Sequence, residues 1–123
     1  NDDALFLAMA ANETWYFTLQ LLHAGNATAD FKMAFTMPTG ATLVWSCSGT
    51  LIDTSDVLAG CNYHNSSGES ESFGGNVGGR GILITGMIIN GTTAGNLQLQ
   101  WTQNTATAVD TKVLANSYLE AHK

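Results

Sequence analysis

The sequence is short of charge. Only 11% of its 123 residues are Asp, Glu, Lys or Arg, against roughly 25% in an ordinary globular domain. The basic residues are four, Lys32, Arg80, Lys112 and Lys123, and the net charge is −6. Nucleic-acid phosphates are held by clustered Lys and Arg, which are missing, so nucleic acid is excluded as a partner. An anionic membrane surface would repel the chain for the same reason. No apolar run approaches the roughly 18 residues of a membrane span, so membrane insertion is not expected. The opening Asp2-Asp3 before Ala4-Leu5-Phe6-Leu7-Ala8 lacks the basic start of a signal peptide. The first residue is Asn1 and not Met, which leads us to expect an upstream segment, an anchor or another domain.

Cysteine and histidine are also scarce. Cys47 and Cys61 are the two cysteines, and no further Cys or His stands at zinc-ligand spacing from them. They are either free buried thiols or a disulfide, which would stabilise the fold by about 3 kcal/mol in the loop-entropy picture. His23, His64 and His122 are scattered, with no second His at i+2 or i+4, and read as surface or rim histidines. Asp53, Asp56, Glu69 and Glu71 are oxygen ligands of the kind Ca²⁺ takes, but no calcium-loop motif orders them, and they read as solvated loop. The run Gly74-Gly75-Asn76-Val77-Gly78-Gly79-Arg80-Gly81 lacks the helix start and Lys of a phosphate cradle and reads as a mobile loop. No metal, cofactor or catalytic residues are expected, and an enzyme is not.

What the sequence does have is alternation. Leu97, Leu99 and Trp101 fall on one side of a strand and Gln98, Gln100 and Thr102 on the other, a period of two that marks a half-buried β-strand. Trp15, Phe17, Leu19 and Leu21 alternate likewise within Glu13–His23, and Phe31, Met33 and Phe35 within Asp30–Met37. The latter two strands, joined by Ala24–Ala29, are expected to pair as a hairpin. A second hairpin is expected to close the chain, from the Leu97 strand to Thr111–Leu114 and Ser117–Ala121.

Further strands are expected at Asp3–Ala10 and at Ala41–Ser46, the latter following the break at Pro38, the single proline. Gly81–Asn90 is apolar on both sides, as in a strand covered on each face, and Asn90-Gly91 is a turn dipeptide. Residues 47–81 are irregular. A 35-residue stretch without elements is improbable in a compact domain, so short strands are expected near Thr50–Ile52 and Ala59–His64, the remainder being surface loop. Any helix at Asp56–Leu58 would be short. The expectation is one all-β domain, an antiparallel sandwich of jelly-roll type with about eight strands.

Polarity carried by Asn, Gln, Ser and Thr suits sheet faces that pack on protein, where charge would be costly to desolvate. It equally suits a secreted sandwich with no special partner. Trp15, Trp45 and Trp101 lie in alternating strands and read as core. Tyr63 and Phe73 lie in the irregular stretch and are the aromatics singled out as ligand contacts. Asn12, Asn26, Asn65 and Asn90 head Asn-x-Ser/Thr sequons, a modest excess over what this composition yields by chance and relevant only in a eukaryotic secretory protein.

Several runs resemble a known domain. Asp30–Thr42 reads Asp-hydrophobic-Lys…Phe-Thr-x-Pro-x-Gly-Ala-Thr, and Thr93–Thr105 reads Thr-Ala-Gly-x-Leu-Gln-Leu-x-Trp-x-Gln-Asn-Thr. Asn116–Leu119 matches a closing Gly-Ser-Tyr-Leu strand with Asn in place of Gly. Together these resemble a β-domain that recurs in virion proteins of tailed bacteriophages, and segment 46–80 lies outside the match. The resemblance implies a jelly-roll-like domain on the particle surface, as a head fibre, capsid decoration or tail-fibre tip, commonly a homotrimer. It implies no catalytic residues. Gln98, Gln100 and Thr102 would then be an oligomer face, with other virion proteins or a host-surface glycan as further partners.

Overall fold

The computed structural model describes residues 2–50, 52, 57–61, 63–66 and 68–123. Two antiparallel sheets pack face to face. The elements in chain order are β1 (Phe6–Met9), β2 (Thr14–Ala24), β3 (Phe31–Thr36), β4 (Thr42–Thr50), β5 (Leu58–Gly60), β6 (Ser70–Phe73), β7 (Arg80–Ile89), β8 (Gly95–Gln103), β9 (Lys112–Val113) and β10 (Tyr118–His122). One sheet has the order β1-β8-β3-β6, and the other β10-β2-β7-β4-β5 with β9 also pairing to β2. The first eight strands thus interleave as 1-8-3-6 over 2-7-4-5, the double Greek key of a jelly roll. β9 and β10 extend the second sheet beyond β2.

Alternation decides which side chains meet between the sheets. β2 sends Phe17, Leu19 and Leu21 inward, and β7 sends Ile82, Ile84 and Ile88. Facing them are Phe31, Met33 and Phe35 of β3 with Leu97 and Leu99 of β8, all buried. Each such side chain contributes about 1.5–3 kcal/mol by leaving water. Phe35 joins the two sheets, meeting Phe17 and Trp45 edge-on at ring distances of 5.7 and 5.4 Å.

The expected hairpins do not form. β2 pairs with β7 and β10, whereas β3 pairs with β8 and β6 in the other sheet. β8 likewise pairs with β1 and β3, while β9 and β10 both join β2. Their connections cross between sheets, because each strand presents an apolar side that must face the opposite layer. β4 and β5 are the exception, pairing side by side within one sheet.

Three further expectations need correction. Within 47–81 the expected strands near Thr50 and Ala59 are present, as the end of β4 and as β5, but Ser70–Phe73, expected as surface loop, is the strand β6, and Leu58 opens a strand and no helix. The Gly-rich run, expected as a mobile loop throughout, is anchored at its start, since Gly74 N–H donates to Thr50 O at 2.9 Å and Gly75 N–H to Asp30 Oδ1 at 3.0 Å. Only glycine fits at position 75, where a Cβ would stand 2.3 Å from Asn26 O. Finally, β7 is covered on one face alone. Leu83 and Ile89, on its other face, are 43% and 45% exposed.

Candidate functional site

The chemistry-bearing side chains gather at one edge of the sandwich, where β5 and the segment after it stand over β6. Past β5 the chain keeps following β4. Cys61 N–H donates to Cys47 O at 2.9 Å, and Trp45 and His64 exchange backbone hydrogen bonds of 3.0 Å each way. That register sets His64 opposite Trp45. The two rings stack with centroids 4.2 Å apart and planes 23° apart.

Across the gap, Glu71 and Phe73 of β6 share a face because they are two residues apart. Glu71 Oε1 lies 2.8 Å from His64 Nε2, a polar bridge between the two sheets. Glu69 Oε2 lies 3.7 Å from the other ring nitrogen, Nδ1. The same Glu69 oxygen accepts the backbone N–H groups of Ser66 at 2.7 Å and Asn65 at 2.8 Å. Those bonds, the Ser66 one foremost, hold the Glu69 carboxyl below its ordinary range, with the His64 ring adding a smaller pull.

Cys47 and Cys61 form a disulfide, with Cα atoms 5.1 Å apart, which resolves the two readings of the cysteines. It ties the segment carrying Tyr63 and His64 to β4. A cleft of about 40 Å³ lies alongside, bordered by Gly49, Thr50, Ala59, Gly60, Cys61, Glu71, Ser72 and Phe73.

The two aromatics singled out from sequence part company here. Tyr63 is 63% exposed and borders a shallow depression of about 250 Å³ with Tyr16, Val44, Ser46, Thr85 and Met87. Phe73 is buried at 4% exposure and packs in the core, so it is not available to a ligand. Asp53 and Asp56 lie outside the described residues, and Glu69 and Glu71 face His64 instead of lining a calcium loop.

The histidines also depart from expectation, as two of the three are internal. His64 is buried, and His23 is more so at 1% exposure, its ring tilted 33° against that of Phe31 with centroids 4.5 Å apart. Burial, and secondarily the Arg80 charge, pushes the His23 imidazole down to about 4. His122 is exposed, its ring 5.6 Å from Tyr16. His23 shares the parity of Phe17, Leu19 and Leu21, and that signal places it in the core. For His64 and Glu71 the available signal was the alternation of Glu71 with Phe73.

Gln98, Gln100 and Thr102 do share a face, the outer side of the four-stranded sheet, beside Lys32, Ala34 and Ser70. Gln98 Nε2 is engaged by Asp2 O at 3.1 Å. Of the tryptophans, Trp45 is core, Trp101 packs against the core and stacks on Phe31, and Trp15 sits at the rim beneath the Lys123 ammonium.

The outer side of the six-stranded sheet is different in character. Register puts Tyr16, Thr18, Gln20 and Leu22 of β2 beside Leu83, Thr85, Met87 and Ile89 of β7, with Thr42, Val44, Ser46 and Ser48 of β4 beyond. Tyr118, Glu120 and His122 of β10 complete it. Among the described strand residues, its acidic and basic members are Glu120 on β10 and Lys112 on β9, both at one margin. Comparison of the chain with known protein families, curated proteins and solved structures finds no match in any of the three.

Proposed function

We propose that the chain is a structural surface protein of a phage virion, a capsid decoration or head fibre, that assembles as a homotrimer and carries no catalytic role. The observation that carries this reading is the outer face of the six-stranded sheet. Tyr16, Leu83, Ile89 and Tyr118 on it are each 43–50% exposed, a concentration of apolar surface characteristic of an interaction site. Copies of a chain with net charge −6 repel one another, and the strands of this face bring one acidic residue, Glu120, with Lys112 at the same margin. Its marginal Glu120 and Lys112 have opposite signs, so a second copy of the chain is a complementary occupant. The face bearing Gln98, Gln100 and Thr102 is a more hydrated surface, suited to neighbouring virion proteins. Resemblance of Asp30–Thr42 and Thr93–Thr105 to phage virion domains supports the same reading.

The test is absolute mass by light scattering on the purified chain, with labelled protein then added to intact particles. Three chains per assembly and saturable binding to particles are expected. A monomer at all concentrations that ignores particles would overturn the reading.

A second reading, a receptor- or carbohydrate-binding module such as a tail-fibre tip, is favoured by one observation. Tyr63 and Tyr16 border the same open depression, as sugar-stacking aromatics would. A glycan array would give a signal that Tyr63→Ala abolishes without loss of fold. Silence across the array would remove this alternative.

A further inference from the structure

We propose that reduction of the Cys47–Cys61 disulfide opens a zinc site formed by Cys61, His64 and Glu71. One ligand atom from each residue, a sulfur, an imidazole nitrogen and a carboxylate oxygen, already lies within 4.8 Å of the other two. In a tetrahedral zinc shell with bonds of about 2.0–2.3 Å, donors stand about 3.3–3.8 Å apart, so small side-chain movements suffice. The cleft of about 40 Å³ bordered by Cys61 and Glu71 gives space beside these donors. Glu69 stands 3.7 Å behind His64 Nδ1 while Nε2 faces Glu71. At 3.7 Å this is a charge contact and not a hydrogen bond; drawn in by about 1 Å it becomes the carboxylate–histidine pairing that orients metal ligands.

Redox state gates the site through chemistry of the sulfur. A disulfide sulfur is a poor ligand, whereas a thiolate is a strong one. Thiolate, imidazole and carboxylate together select zinc over magnesium or calcium. The opening step is thiol–disulfide exchange with a cellular dithiol. The dithiol gives two electrons and two protons and becomes a disulfide, while Cys47 and Cys61 become thiols. Zinc then takes the Cys61 thiolate, and one proton is released to water. A reducing cytoplasm favours the zinc form and an oxidising exterior the disulfide form. The segment carrying Tyr63 is therefore tied covalently to β4 in the oxidised form and through zinc to β6 in the reduced form. This inference does not depend on the virion reading.

Two preparations test it. Cys47→Ala frees the Cys61 thiol without added reductant, and wild type can be compared with and without a phosphine reductant. Cobalt(II) serves as the spectroscopic probe and zinc as the competitor. Cys47→Ala and reduced wild type are expected to bind one cobalt with a thiolate charge-transfer band, displaced by zinc, and the oxidised chain to show none. Adding His64→Ala or Glu71→Gln to Cys47→Ala is expected to weaken binding by about 100-fold or more, beyond the loss typical of an outer-shell partner. If Cys47→Ala fails to fold, zinc should still raise the melting temperature of reduced wild type and leave that of the oxidised chain unchanged. A folded Cys47→Ala protein without the band would overturn the proposal. So would a band indifferent to His64→Ala and Glu71→Gln, or zinc that stabilises neither form.

Discussion

Phe73 occupies the space that a side chain at Gly49 would need. A Cβ at Gly49 would stand 2.5 Å from Phe73 Cδ1 and 2.7 Å from Cε1. This contact joins β4 of one sheet to β6 of the other, close to the His64–Glu71 bridge. Gly49→Ala is expected to force the ring aside and destabilise the fold by about 1–3 kcal/mol. Phe73→Ala, which leaves a cavity, should cost about 3–5 kcal/mol. Urea unfolding of both variants measures this, and a Gly49→Ala protein as stable as wild type would show that β6 yields easily.

His23 predicts a specific acid sensitivity. Its imidazole is buried, and neither ring nitrogen has a hydrogen-bond partner among the described residues. The folded-state value of about 4 lies below the unfolded 6.5, so the unfolded chain binds the proton more readily between those values. Stability is therefore full above about 6.5 and falls as the pH drops toward 4, by on the order of 3 kcal/mol at most. His23→Phe should abolish this dependence and leave stability at pH 7 equal or higher, since it removes two unpaired polar atoms. Melting curves across that pH range for both proteins are the measurement.

What could be read in the sequence follows from the reach of each signal. Alternation is local, so β2, β3 and β8 are evident from runs such as Trp15–Leu21 and Leu97–Trp101, and β7 from a continuous apolar run. Pairing is not local. The link from Ala24 to Phe31 looks like a hairpin turn, yet β2 and β3 lie in different sheets because each needs the opposite layer for its apolar side. β6 was missed because Ser70-Glu71-Ser72-Phe73 has one large apolar residue, too weak a pattern to register. With β6 went the Glu71 partner of His64, and His64 was consequently read as exposed. The sequence does not decide the disulfide for a related reason, since proximity of Cys47 and Cys61 depends on β5 folding back on β4.

The Cys47–Cys61 bond should contribute to stability whatever its role with zinc. It closes a loop with a sequence separation of 14, for which chain entropy gives about 3 kcal/mol. Reduced protein in the presence of a metal chelator is expected to unfold at correspondingly lower urea. An unchanged midpoint would mean that the 47–61 loop is equally restricted in the unfolded chain.

Glu13 offers a local check on the strand end. Its carboxyl is held down to about 2, first by the Lys123 ammonium, then by the Trp15 indole N–H and the Ala10 amide. Lys123→Ala should raise its midpoint toward the ordinary 4.5, and carbon-detected NMR titration of the carboxyl would show it. Because the folded value is the lower one, the stabilisation it confers is present above about 4.5 and is lost as the pH falls through about 2. The Glu13 side chain is partly open to solvent, whose screening leaves only a small change in stability at neutral pH.

The two outer sheet faces make opposite predictions for assembly. Leu83 and Ile89 lie on the outer side of β7, in the middle of the six-stranded sheet, where a charged side chain would enter any contact between copies. Leu83→Arg and Ile89→Arg leave the core untouched, since both residues point away from Ile82, Ile84 and Ile88. Their monomers should keep wild-type stability to within about 0.5 kcal/mol. Their self-association should weaken by tenfold or more, as for a charge set into the apolar centre of an interface. Gln100→Arg, at the middle of the other sheet, should leave the oligomer intact and reduce attachment to particles instead. Light scattering over a concentration series distinguishes the cases. Loss of the oligomer in Gln100→Arg with Leu83→Arg unaffected would move the assembly face to the four-stranded sheet, where Gln98, Gln100 and Thr102 lie together.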